Sequence, residues 1–92
     1  MKHAGSKALD RLEPLLEKLR VHAELKEKSH GCFYLRGRGF LHFHEHGVDE
    51  LYADIGLGAH FDRVPAMTAA QHKLILKRTA KALADGKSLA KR

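Results

Sequence analysis

The chain has 92 residues, with 17 Lys or Arg against 11 Asp or Glu, a formal net charge of +6 with eight histidines counted as neutral. That length supports one domain, residues 1–92, around one thin hydrophobic core, and the charge favours anionic partners in general without selecting one. No apolar run is long enough to span a membrane, and no hydrophobic segment follows Met1, so neither a membrane partner nor a signal peptide is expected; the single cysteine excludes an intramolecular disulfide and fits a cytoplasmic location.

Met1 to Gly5 is expected to fray. Leu9, Leu12, Leu16 and Leu19 then recur at helical spacing and predict a first helix. It has two candidate starts. Ser6 can cap it directly, or Asp10-Arg11-Leu12-Glu13 can form a capping box with Pro14 in the first turn. A start at Ser6 leaves Pro14 inside the helix, where it removes one backbone bond. From Val21 to Lys28, Val21, Ala23 and Leu25 alternate with His22, Glu24 and Lys26, which predicts a strand, with continuation of the helix as the alternative. Ser29-His30-Gly31 reads as a turn.

Cys32 to Leu57 reads as three consecutive antiparallel strands joined by glycine turns. A three-residue loop, Gly37-Arg38-Gly39, pairs Leu35 with Leu41 and Phe33 with Phe43, and Gly39 suits the left-handed position of such a turn. A one-residue slip would turn the apolar set outward. The next loop is Gly47-Val48-Asp49 or two residues longer, and Leu51, Ala53 and Ile55 continue the apolar parity. One face then holds Phe33, Leu35, Leu41, Phe43, Leu51, Ala53 and Ile55. The other holds Cys32, Tyr34, Arg36, Phe40, His42, His44, His46, Tyr52 and Asp54.

Gly56-Leu57-Gly58 is expected to end the third strand, and Ala59 to Met67 to be an irregular segment packed through Phe61, Val64 and Met67. Thr68-Ala69-Ala70-Gln71 is a capping box opening a last helix to about Ala84, stopped at Asp85-Gly86. Ile75, Leu76, Thr79, Ala80 and Leu83 are assigned to its buried side, and Lys73, Lys77 and Lys81 to a basic stripe. Lys87 to Arg92 is expected to be mobile. The fold class is therefore α+β: an antiparallel meander of three to four strands, with an N-terminal and a C-terminal helix on one face.

The run Gly31 to Asp54, with its Gly-x-Phe, its Arg-Gly-x-x-Phe and Phe40-Leu41-His42-Phe43-His44, resembles a family of small bacterial proteins labelled "luciferase domain". The resemblance covers about the first sixty residues, and the segment from His60 to Arg92 differs. It implies no luciferase activity and no established reaction, and no functional residue is carried over by it.

The histidine-bearing face holds the concentrated chemistry. Imidazoles at i and i+2 on a strand project to one side, which suits chelation of zinc or a similar ion. His42 and His46 lie about 13 Å apart at the usual strand rise, so one ion takes two of the three histidines and a cross-strand ligand. His42 and His44 are the candidate pair, Cys32 the expected third ligand and Asp54 its substitute. Cys32 and His44 have the chemistry of a thiolate–imidazole pair, but no oxyanion hole or substrate pocket is identifiable, and no catalytic residue is assigned. Tyr34, Arg36, Arg38, His42, His44, His46 and Tyr52 form a candidate surface for single-stranded nucleic acid or for a protein partner. Self-association through this open face is the leading expectation, because a sheet covered on one side only invites such contacts.

Overall fold

The structure, a computed structural model, describes residues 2–47, 49–57 and 60–90. Met1, Val48, Gly58, Ala59, Lys91 and Arg92, which fall in segments assigned above to frayed ends, turns and a packed segment, lie outside it. Lys2–His3, instead of fraying, forms a short strand, β1, ahead of helix α1 (Ser6–Arg20). Gly5 is the N-cap, so the earlier of the two starts holds, and Ser6 is the first helical residue rather than the cap. Leu9, Leu12, Leu15, Leu16 and Leu19 are all buried. Pro14 sits inside the helix on the exposed side, as does Asp10, whose carbonyl loses its amide partner but faces water.

Val21 is 77% exposed and lies in the turn after α1, so the predicted Val21–Lys28 strand shortens to β2, Leu25–Ser29. The alternation of Val21 and Ala23 had no strand to serve. Arg20 pins this turn: its guanidinium pairs with Glu13 of its own helix and donates twice to Glu27 of β2, from Nε at 2.6 Å and from Nη2 at 3.0 Å. Glu27 also accepts the Gly31 amide, so one arginine ties the end of the helix to the first hairpin.

Strands β3 (Cys32–Leu35), β4 (Arg38–His46), β5 (Glu50–Leu57) and β6 (His60–Pro65) follow, then helix α2 (Ala69–Ala90). The α+β class with two helices and an antiparallel sheet stands, and the sheet is larger than the meander read from the sequence. Its order is β2-β3-β4-β5-β6, with β1 pairing β4. β3 borders the first half of β4 and β1 the second half, on the same edge, because β5 fills the other edge along its length.

The β3–β4 register departs from the expected one. Leu35 pairs with Arg38, leaving a two-residue turn, Arg36-Gly37, rather than Gly37-Arg38-Gly39. Both turn residues have positive φ, 52° and 80°, which gives the twist that suits a tight hairpin. Tyr34 then pairs with Gly39 and Phe33 with Leu41, so Phe40 is an extra residue, a β-bulge. A slip that would have turned the apolar set outward is thus cancelled two residues later. The bulge also moves Phe40 from the open face into the core, where it and Leu41 are 1% and 0% exposed. Arg36 carries the cost of a left-handed conformation without being glycine. Arg36→Asn is expected to stabilise the protein by about 0.5–1 kcal/mol, since asparagine tolerates that position; chemical denaturation that shows no gain would place the turn elsewhere.

Between β4 and β5 the apolar parity holds and the shorter of the two loops is taken: Leu41 opposes Ile55, Phe43 opposes Ala53, and His46 opposes Glu50. β5 continues through Gly56 to Leu57, and the segment thought irregular is the edge strand β6. Phe61, at 37% exposure, lies on the open face and Met67 is 39% exposed, so of the three expected packing residues only Val64 joins the core. Pro65 ends β6, where its missing amide breaks no ladder. The Thr68–Gln71 capping box forms in both directions, at 3.1 and 3.0 Å. Beyond it α2 runs past Gly86 to Ala90, further than the predicted stop, and so takes in much of the tail expected to be mobile. Ile75, Thr79 and Leu83 are buried against the same core as α1, whereas Ala80 is exposed.

Candidate metal centre on the open sheet face

Two cross-strand rows build the site. In one, His42 of β4 opposes Asp54 of β5, and Asp54 opposes Arg63 of β6. In the next, His3 of β1 opposes His44 of β4, which opposes Tyr52. Because residues two apart on a strand share a face, the chain brings three imidazoles, one carboxylate and one guanidinium together.

Asp54 is the centre. It is 7% exposed, and Arg63 grips both its oxygens, Nε to Oδ1 at 2.7 Å and Nη2 to Oδ2 at 2.8 Å. That pairing holds the carboxyl below its ordinary range, against the opposing effect of burial. Asp54 is therefore an anion at neutral pH, and Arg63 fixes its orientation. Oδ2 also lies 3.0 Å from His44 Nε2 and 3.5 Å from His42 Nε2. Burial, reinforced by the neighbouring His44, pushes His42 below the usual imidazole range, with Asp54 acting in the opposite direction. Its ring nitrogens are thus neutral at pH 7, one of them with a lone pair available.

His44 is the anomaly. It is 9% exposed, and neither ring nitrogen has a hydrogen-bond partner among the described residues. The nearby Asp54 oxygen is close in distance but out of line for a hydrogen bond. A buried polar group left in this condition costs about 1–3 kcal/mol. One ligand atom each from His42, His44 and Asp54 lies within 4.8 Å of the others.

Of the residues singled out from sequence, His42, His44 and Asp54 converge. Cys32 does not: it is half-buried, and the bulged register sets it alongside His42 rather than His44. It lines a cleft of about 200 Å³ next to the centre with His3, Tyr34 and His42. His46 is exposed at the far end of β4. Arg36 and Arg38 are exposed at the hairpin end, Tyr34 lies under the Lys28 ammonium at 4.6 Å, and Tyr52 bonds Glu50 at 3.1 Å.

Sequence reasoning missed three contributors. His3 was assigned to a frayed end, Arg63 to an irregular segment, and Phe61 to the core. The alternation Phe61-x-Arg63 was a usable signal for an open-face edge strand. Phe61 lies across the glycines Gly39 and Gly56, with its ring centroid 5.2 Å from that of His42 and the two planes at 70°. No protein-family model, curated protein or solved structure matches the chain. Among the described residues, no helix is long and apolar enough to cross a membrane.

Proposed function

We propose that this protein binds one divalent transition-metal ion of the zinc class through His42, His44 and Asp54. The observation that carries the reading is the buried His44 imidazole, without a hydrogen-bond partner among the described residues and with Nε2 3.0 Å from an ionised carboxylate oxygen. An ion supplies the missing interaction. Oxygen–nitrogen separations of 3.0 and 3.5 Å correspond to angles of about 95° and 115° at an ion held by bonds of about 2.0–2.1 Å. The three ligand atoms spread over as much as 4.8 Å, more than the roughly 4.2 Å that two such bonds span, so binding has to draw the two imidazole nitrogens together. Asp54 retains lone pairs for the ion while it accepts from Arg63, which then acts as the orienting partner that ligating carboxylates usually have.

The competing readings draw less from this face. Self-association through its centre would bury a polar cluster rather than an apolar patch. Single-stranded nucleic acid stacked on Tyr52 would meet the Glu50 carboxylate where its phosphates should run.

Zinc titration by calorimetry is expected to give one ion per chain. His44→Ala should abolish binding, while His46→Ala on the same strand should retain it. Affinity should weaken below about pH 6, as protons compete for the imidazole nitrogens. Absence of heat with the unmodified protein, or equal loss in both variants, would overturn the proposal.

A further inference from the structure

Three protein ligands leave a position on the ion, and a third imidazole stands beside it. The His3 ring centroid lies 4.8 Å from that of His44 and 5.7 Å from that of His42, while the His42 and His44 centroids are 4.9 Å apart. Imidazoles that share one tetrahedral ion at about 2.0–2.1 Å place their centroids about 5 Å apart. All three pairs are close to that spacing. The His3 nitrogens stand outside the tightest group, but His3 is exposed, so its ring has room to turn.

β1 itself is weakly held. It is two residues long and pairs with β4 only at Lys2–Glu45 and His3–His44; beyond that pairing it is tied by Ala4 N–H to the Phe43 carbonyl at 3.0 Å, Gly5 N–H to Glu45 Oε2 at 2.8 Å, and a Lys2–Glu45 ion pair at 3.4 Å. The lysine of that pair is 78% exposed, so it adds little. Yet the register places His3 directly opposite His44, a buried imidazole that lacks a hydrogen-bond partner among the described residues.

Resting on the metal reading above, we infer that the N-terminal strand is a metal-dependent latch: His3 is the fourth ligand, and ion binding and docking of β1 are one event. The centre is then a closed site of three imidazoles and one carboxylate. No coordination position is left for a substrate or a reactive water, so the ion serves structure or metal-dependent regulation of the N-terminus rather than hydrolysis. The free energy of coordination is spent on ordering the segment that supplies the last ligand.

The test is zinc titration combined with amide exchange on the whole chain, using zinc alone as the probe. In the unmodified protein, zinc should slow exchange at Ala4 and Gly5 by about tenfold or more, while the His72 amide, in α2, should be unaffected. His3→Ala and His3→Gln should each weaken zinc by about 10–100-fold and remove the protection at Ala4 and Gly5. Cobalt substituted for zinc should give the intense visible bands of a four-coordinate site, and lose that intensity in both variants. Unchanged zinc affinity in the His3 variants, with Ala4 and Gly5 indifferent to zinc, would overturn the latch and leave the three-ligand centre standing. Failure of the unmodified protein to bind zinc would remove both.

Discussion

Phe40→Ala is expected to destabilise the protein by about 3–5 kcal/mol, as large a loss as Phe43→Ala. The two rings are 1% and 2% exposed and belong to one core. They differ in what they report. Phe43 is buried in either register of the first long hairpin, because its parity with Leu41 is fixed along β4. Phe40 has the opposite parity to Phe43, so the two can share one core only where a bulge separates them. With the three-residue loop it would share the face of His42, and its truncation would cost less than about 1 kcal/mol. Urea denaturation of the pair is decisive: a full loss for Phe43→Ala with a negligible one for Phe40→Ala would restore the plain register. Equal losses establish the bulge.

Gly31→Ala should cost about 2–4 kcal/mol, from two separate sources. Gly31 has φ +77°, which an L-residue adopts at a penalty, and its missing Cβ would lie 2.5 Å from Leu9 Cδ2. Leu9 can yield only by disturbing the helix–sheet packing, since it is 7% exposed. Gly37 is the matched control. Its φ is +80° and nothing lies within 4 Å of its would-be Cβ, so Gly37→Ala should show the backbone penalty alone, about 1–2 kcal/mol. Denaturation midpoints for the two variants should therefore differ clearly. Equal losses would mean that α1 does not rest on the β2–β3 turn.

The site was half legible for the same reason that the core was. Side-chain parity is a local property of an extended chain, so the shared face of His42, His44 and Asp54 could be read without any tertiary information. The expectation that Cys32 would stand with His42 and His44 depended on pairing across β3 and β4, and it is Asp54 that lies beside them. A bulge at Phe40 shifts that pairing by one residue, and nothing local announces a bulge when the turn sequence, Arg36-Gly37-Arg38-Gly39, accommodates two loop lengths.

What the sequence determined by itself is the α+β class, the leucine stripe of α1, the apolar parity of β4 and β5, the capping box of α2 and the histidine face. Each rests on periodicity or on contacts between residues a few positions apart. Only the tertiary structure decided that Lys2–His3 docks on the free half of the β4 edge, that His60–Pro65 is a strand, and that Arg63 meets Asp54. Those are pairings of short segments with weak propensity of their own. An edge that β3 vacates after Leu41, and one that β5 leaves open, supply the backbone partners that make strands of them, and the site is completed by residues whose own neighbours in sequence predicted nothing.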